Sequence, residues 1–426
     1  MIKKVCIIGL GYVGLPLACL AARKGYSVTG LEINTKNVEL LRAGTCHIKD
    51  EFLQKEVQEL QGILQVTDDP STALPSADII IICVPTPVDH KFLPNLEYVE
   101  SAGRSIAQHL RPGQIIVLES TVNPGTTEET LQPILEQSSL QAGKDFHLVH
   151  CPERIDPGNK KWGLHNIPRV LGSSTPEGAT AAKQFYASIV NADILILKGL
   201  KEAEATKIME NSFRDVNIAF MNEMAKSFDK AGIDVTEVIR GASTKPFAFL
   251  PHYPGCGVGG HCIPVDPYYL IEGAKKFHFE HKFLELARKI NKSMPEYTVS
   301  LLAEELNKMG KSVKGSLIGL YGVAYKKDVD DARESPSLEI MRLLQEKGAT
   351  LFVYDPHAKH KNNVTDFEEF LKHADYLLIA TNHAEFTNLE LEKLKENNIK
   401  IIVDGRNCLD KEKIQSLGIA YKGIGR

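Results

Sequence analysis

A thiol, an imidazole and a carboxylate fall together in one short stretch, Tyr253-Pro254-Gly255-Cys256-Gly257-Val258-Gly259-Gly260-His261-Cys262-Ile263-Pro264-Val265-Asp266-Pro267. A cysteine whose surroundings favour the thiolate attacks carbonyl carbon, and Cys262 has an acid four residues on, Asp266. Four glycines crowd the six residues from Gly255 to Gly260, so backbone N–H groups there can cradle an anionic ligand. The residue types also leave plainer readings open. Any one cysteine can be a buried structural thiol, and His261 reads as a structural hydrogen-bonding residue rather than a general base. No complementary ligand cluster accompanies Cys256, His261 and Cys262, so no metal is expected.

A second constellation stands near the start. Gly9-Leu10-Gly11-Tyr12-Val13-Gly14 follows a strand-like run and opens a helix, where a GxGxxG segment has mechanical meaning. Gly9 permits the tight turn, Gly11 the approach of backbone to a pyrophosphate, and Gly14 close packing of helix on strand. The helix N-terminus then offers N–H groups and a positive dipole end to phosphate. Glu32 closes the next strand-like run, where an acid accepts from both ribose hydroxyls and repels a 2′-phosphate, favouring NAD over NADP. Pro85 and Thr86, in Val84-Pro85-Thr86-Pro87, and Thr121, in Glu119-Ser120-Thr121, follow later strands of the same sheet. Loops at carboxyl strand ends line the ligand crevice of such a fold; ordinary turn chemistry is the competing explanation.

The elements that must carry these residues are legible from periodicity. Val5–Ile8, Ser27–Leu31, Ile79–Val84 and Gln114–Leu118 are continuous apolar runs suited to a parallel sheet buried on both faces. Helical stretches separate them, which predicts a doubly wound α/β domain over residues 1–201. From Glu202 to Ala231, apolar residues at Met209, Phe213, Val216, Phe220, Met224 and Phe228 step by three and four, one long helix with Gly232 as its stop. It opens a helical middle section, 202–305, that includes a helix from Lys282 to Lys292 ahead of Pro295. Strands at Ser316–Leu320, Thr350–Tyr354, Tyr376–Ala380 and Lys400–Asp404, with a helix start at Ser335-Pro336, give a second, smaller α/β domain over 306–426. The expected fold class is α/β: two Rossmann-like doubly wound domains joined by the helical middle.

Composition agrees with an ordinary globule. The 426 residues are 43% hydrophobic and 24% charged, enough core-forming material to exclude a disordered chain. A net charge of −4 gives no reason to expect nucleic acid. No apolar run approaches the ~20 residues that cross a bilayer, and the N-terminus shows no signal-peptide pattern. The eight cysteines are scattered without a CxxC pair, so a reducing cytoplasm is expected, with Cys6, Cys19 and Cys83 as inert core thiols.

Several runs carry a family resemblance: GLGYVG, VPTP, the STVNPGTT run from Ser120, CPER at Cys151–Arg154, EAEATKIMENSFR at Glu202–Arg214, GVGGHCIPVDP, and YGVAYKKDVDDARESPS. In this order, over essentially the whole chain, they resemble the UDP-glucose/GDP-mannose dehydrogenase family. The resemblance implies two successive NAD-dependent oxidations of the sugar's terminal carbon, to a carboxylate. It implies Cys262 as the nucleophile that holds the aldehyde as a thiohemiacetal, then a thioester. Lys207 and Asn211, one helical turn apart, match a lysine expected to stabilise oxyanion character and its companion asparagine. Asp266 matches the aspartate that assists proton transfer, Glu153 the glutamate that activates water for thioester hydrolysis, and Thr121 the threonine that helps hold that water. Arg333 matches an arginine reaching the cofactor. Lys326, Arg154, Arg214, Tyr253, Gly257 and Gly259, with Glu153, Lys207 and Asn211, match substrate contacts. A homodimer or higher homo-oligomer through the middle helices is implied; the stripe from Met209 to Phe228 is compatible with it, and equally with packing inside one chain.

The same resemblance speaks to the sugar. Val265 stands where the UDP-glucose pattern has a lysine, and Arg154-Ile155-Asp156-Pro157-Gly158 replaces a phenylalanine-containing form. Pro157 occupies the place of a second carboxylate near Glu153. With Lys245-Pro246-Phe247 and Asn166-Ile167-Pro168, these departures resemble the branch acting on UDP-N-acetylhexosamines. N-acetylglucosamine is the first expectation, ahead of N-acetylmannosamine, N-acetylgalactosamine and glucose. A single-step hydroxyacid dehydrogenase and a catalytically silent NAD-sensing protein are the alternatives.

Overall fold

Runs of Val, Ile and Leu, shielded on both sides, build the centre of each sheet in the computed structural model, which describes residues 2–89, 92–155, 159 and 161–426. Two compact units emerge, Met1–Glu210 with Tyr268–Phe279 and Asn211–Pro267 with Glu280–Arg426.

The first unit holds eight strands: β1 (Lys4–Ile8), β2 (Ser27–Leu31), β3 (Gln65–Thr67), β4 (Ile79–Ile82), β5 (Ile115–Leu118), β6 (His147–His150), β7 (Arg169–Ser173) and β8 (Ile194–Ile196). Their order is β3-β2-β1-β4-β5-β6-β7-β8. Every pairing is parallel except β6 with β7. One apolar cluster covers each face, one including Val5, Ile7, Ile79 and Ile81 and the other Cys6, Ile8, Ile80 and Ile82, as the period-two alternation of a strand requires. The order reverses between β1 and β4, which puts a ligand crevice at their carboxyl ends. After β5 the chain winds a wide π-helical turn, Thr127–Leu131, before the short helix Gln132–Leu135.

The second unit has a five-stranded parallel sheet of β9 (Leu317–Tyr321), β10 (Thr350–Tyr354), β11 (Tyr376–Ile379), β12 (Ile401–Asp404) and β13 (Ala420–Gly423), ordered β10-β9-β11-β12-β13. Its switch point lies between β9 and β11. The helix Pro336–Glu346 starts as the sequence implies, with Ser335 capping Ser337 N and proline in the first turn. Lys282–Lys292 is a helix, and Pro295 enters the first turn of the next, Met294–Lys308.

The long helix runs Leu200–Lys230, and Gly232 follows at φ +70, a left-handed stop that suits glycine. Packing inside the chain accounts for only part of its apolar stripe: Phe228 packs against the core of the second unit, and Val216 and Met224 are half-buried. Met209 is 70% exposed, Phe213 51% and Phe220 50%. The helix instead buries Ile208 and Met221 together with small and polar residues, Ser212, Asp215, Ala219, Asn222 and Ala225 among them. Polar groups occupy that face because they are paired: Arg288 Nη1 donates to Asp215 Oδ1 at 2.5 Å, and Asn222 Nδ2 donates to Asn291 Oδ1 at 2.9 Å. Among the described residues, no helix is long and apolar enough to cross a membrane.

Candidate active site

The first unit shapes a dinucleotide crevice from backbone upward. Gly9 sits at φ +87, and a Cβ there would meet Cys83 O at 2.8 Å; one on Gly14 would lie 1.9 Å from Gly9 O. Both positions therefore require glycine. A Cβ on Gly11 would meet nothing within 4 Å among the described residues, which is the open space a pyrophosphate needs. The helix Gly14–Arg23 begins without a side-chain cap at Val13 and turns its positive dipole end toward the glycine turn, with Leu15 N donating to Gly11 O at 3.1 Å. Tyr12 is exposed. Glu32 Oε2 accepts from Leu10 N at 3.0 Å and Oε1 from Asn34 N at 2.9 Å. The acid is thereby fixed against the glycine turn, and these residues fit an NAD molecule.

The neighbouring loops are tied down. Tyr269 OH donates to Thr86 O at 2.5 Å, beside Pro85, and Ser120 Oγ donates to Val84 O at 2.7 Å, steadying the half-buried Thr121. Farther along, Gly125 N and Thr127 N donate to Glu204 at 2.5 and 2.8 Å, and Thr127 Oγ1 to the same carboxylate at 2.6 Å. Burial pushes Glu204 up to about 7 against those hydrogen bonds. Periodicity gave no sign of this clamp.

Glu153 is buried with every oxygen engaged: Oε1 accepts from Arg154 N at 2.6 Å and Ile155 N at 2.8 Å, and Oε2 from Arg169 Nη2 at 2.7 Å. Arg154 turns elsewhere. Its Nη2 and Nε donate to Glu210 at 2.5 and 3.2 Å, and its Nη1 to Pro168 O at 2.9 Å. Pro157 and Asp156, singled out from the sequence, lie outside the described residues. Lys207 is buried at 9% exposure on the long helix, unusual for a lysine.

The second unit contains the cysteine loop. Cys262 is half-buried, and its carbonyl accepts from Val265 N at 3.0 Å and Asp266 N at 2.8 Å as the helix Asp266–Lys275 begins. Asp266 Oδ2 in turn accepts from Asn211 Nδ2 at 2.5 Å, with both side chains buried. The glycines serve close approach. A Cβ on Gly259 would strike Pro336, Glu334 O and Tyr325 within 2.8 Å, and one on Gly260 the Tyr325 ring. At φ +129, Gly257 lies against Asn291 O and Pro336. His261 Nδ1 accepts from Arg333 Nη2 at 3.3 Å, while Asp331 accepts from Nε and Nη2 of the same guanidinium. Lys326 is half-buried on the loop after β9; Arg214 and Tyr253 are exposed.

That loop has an anchor that sequence reasoning missed. Asp355 Oδ2 accepts from Val323 N and Ala324 N at 2.6 and 2.8 Å and faces His383 Nε2 at 3.1 Å, while His383 Nδ1 accepts from Asp328 N at 3.0 Å. Burial works to raise Asp355, yet hydrogen bonds from His383 and backbone amides hold it well below the carboxylate range. Asp328, His357 and His383 come close enough to share a cation, but His383 has both ring nitrogens engaged, so the trio reads as a loop anchor. A histidine in Asn382-His383-Ala384 carries no sequence period that would have revealed this.

The thiols separate by environment. Burial pushes Cys6, Cys19 and Cys151 up to about 12, and raises Cys46, Cys83, Cys256 and Cys408 as well. These seven are poor nucleophiles.

Comparison with known proteins follows the same division. The chain matches the UDP-glucose/GDP-mannose dehydrogenase family through its NAD binding domain over residues 3–190, its central domain over 201–293 and its UDP binding domain over 319–411. A UDP-N-acetyl-D-mannosamine dehydrogenase of Pyrococcus horikoshii is 36% identical, with 99% of each chain covered. The structure of the UDP-D-ManNAc dehydrogenase from that organism is similar with a TM-score of 0.92, at 36% identity and 99% coverage of both chains. A UDP-N-acetyl-D-glucosamine 6-dehydrogenase of Pseudomonas aeruginosa is also 36% identical, covering 96% of this chain and 98% of its own.

Proposed function

The chain belongs to the UDP-glucose/GDP-mannose dehydrogenase family, and on that premise we propose that it oxidises the C6 hydroxymethyl of a UDP-N-acetylhexosamine to the uronic acid. It is an NAD-dependent nucleotide-sugar dehydrogenase. Membership sets aside the hydroxyacid dehydrogenase and the silent NAD sensor. The N-acetylhexosamine rests on one observation: the two relatives above, named for its manno and gluco epimers, are each 36% identical to this chain over nearly its whole length. The departures at Val265 and after Glu153 point the same way. Both epimers belong to the proposal.

Two NAD molecules, bound one after the other, would each supply one hydride acceptor, the first for the alcohol and the second for the thiohemiacetal. The Gly9–Gly14 turn and Glu32, with Pro85 and Thr86, would hold the cofactor, and the family resemblance adds Arg333 as a cofactor residue. Cys262 supplies the sulfur. Its bond to the aldehyde carbon makes a tetrahedral adduct that can surrender another hydride, which a free aldehyde cannot readily do. Lys207 and Asn211 steady the negative oxygen as protons leave, and Asp266 moves a proton. Glu153, with Thr121, takes a proton from water as its oxygen adds to the acyl carbon. The carbon–sulfur bond then breaks and Cys262 departs as thiolate. Lys326, Arg154, Arg214, Tyr253, Gly257 and Gly259 complete the substrate contacts. The exposed stripe of Met209, Phe213 and Phe220 supports a homodimer, and work on a nucleotide sugar suits the cytoplasm.

The test is a panel of nucleotide sugars with NADH counted against sugar consumed. The expected result is two NADH per UDP-N-acetylhexosamine and little turnover of UDP-glucose. One NADH with a stable free aldehyde, or a preference for UDP-glucose, refutes the reading.

A further inference from the structure

Beneath the loop that carries Glu153 lies a charge cluster that the reaction, as assigned above, does not use. Arg169, the first residue of β7, is 1% exposed and bridges two buried carboxylates. Its Nη2 donates to Glu153 Oε2 at 2.7 Å and its Nη1 to Glu119 Oε1 at 3.2 Å. Tyr186 OH donates to that same Glu119 oxygen at 2.5 Å, and the tyrosine ring lies 4.9 Å from the guanidinium carbon. Cys151 Sγ and Cys83 Sγ close the cluster at 3.9 Å, from Arg169 Nη1 and Glu119 Oε2 respectively. Arginine is rarely buried, and a buried guanidinium between two acids is a costly construction that a hydrophobic group could replace if only stability were at stake.

The arrangement constrains one group above all. Two backbone amides hold Glu153 Oε1 and, among the described residues, Arg169 holds Oε2, so the guanidinium stops the carboxylate from swinging about its last bond. Arg169 is in turn held from behind by Glu119, and Glu119 by Tyr186. Burial pushes Glu119 up to about 7, with Arg169 pulling it down and Glu153 adding to the rise. Glu119→Gln keeps the shape and an accepting oxygen for Arg169 and Tyr186 while removing the charge that holds the guanidinium from behind.

We propose that Arg169 is the positioning residue of Glu153 in thioester hydrolysis, and that Glu119 and Tyr186 fix the guanidinium from behind. This rests on the role given to Glu153 under Proposed function. In that step a proton passes from water to Glu153, the water oxygen bonds to the acyl carbon, and Cys262 leaves as thiolate. Misdirecting one carboxylate slows only this step, because both oxidations precede it.

The experiment is single-turnover kinetics on the full chain with UDP-N-acetylhexosamine and NAD, following NADH by absorbance and the acyl-enzyme by mass after acid quench. Arg169→Lys keeps the charge but loses the fork that reaches both acids. The expected result is a normal NADH burst, accumulation of acyl-enzyme, and hydrolysis slower by about 100-fold, the scale of a small misplacement of a reacting group. Glu119→Gln and Tyr186→Phe are expected to fold normally and to slow hydrolysis in the same selective way, by less. If Arg169→Lys fails to fold, Glu119→Gln decides. Burst and hydrolysis falling together in the folded variants, or neither changing, overturns the proposal. Glu153→Gln separates the two readings. If it hydrolyses normally, the assigned role of Glu153 is wrong; if it accumulates acyl-enzyme while the folded Arg169, Glu119 and Tyr186 variants do not, the positioning role alone is wrong.

Discussion

The side-chain amide of Asn211 donates to Asp266 Oδ2 at 2.5 Å, joining the long helix to the first residue of Asp266–Lys275 with both groups buried. An acid whose orientation is set by a neighbouring amide is suited to proton transfer. Asp266→Asn removes the proton-carrying group and sets two amides against each other. Initial-rate measurements are expected to show kcat lower by about 10²–10³, the range for loss of a positioned acid–base group, with KM for NAD little changed. A drop below threefold would remove Asp266 from the proton path.

Cys262→Ala is expected to leave NAD binding, followed by fluorescence titration, within about twofold of the parent while uronate formation disappears. Burial raises the seven other thiols, so none is expected to substitute. Uronate accumulating in that variant would eliminate the covalent route.

Gly11 and Gly14 make opposite predictions from one motif. A methyl group at Gly14 has no room, and overpacking of this kind costs about 1–3 kcal/mol or more, so Gly14→Ala should lower the melting temperature by several degrees. Gly11→Ala meets open space and should melt like the parent while binding NAD at least tenfold more weakly. Equal melting temperatures for both would show that the turn is looser than described.

Glu204 gives a pH dependence with a defined sign. Its folded pKa, raised mainly by burial to about 7, stands above that of an unfolded glutamate near ~4.3. The folded state therefore prefers the protonated acid, and the stabilisation is full below about pH 4 and lost as pH rises toward 7, to the extent of about 3 kcal/mol. Glu204→Gln should flatten this slope in melting curves between about pH 5 and 8. An unchanged slope would mean that Glu204 is not the group responsible.

Much of this was legible before any coordinates. The strands Ser27–Leu31 and Thr350–Tyr354 stood out because parallel sheets buried on both faces select unbroken apolar runs. The GxGxxG turn stood out because its glycines answer to steric needs that sequence order preserves. What escaped was set by partners distant along the chain. β7 pairs antiparallel with β6, and it opens with Arg169, which reads as a surface residue until Glu119 and Glu153 are seen beside it. The inward face of Leu200–Lys230 was hidden for the same reason, since Asp215 becomes a core residue only through Arg288 and Asn291.

The π-helical turn Thr127–Leu131 has a consequence for variation in chain length. Such a turn holds one residue more than an α-helical turn, and here it lies between the Thr121 loop and the fully buried Leu131 and Leu135. Removing a single residue there can be absorbed by tightening the coil to an α-helical turn, leaving Leu131 and Leu135 seated and β5 in its sheet. A one-residue deletion at this spot would therefore spare both the fold and the Thr121 loop, making it a place where chain length can vary at little cost.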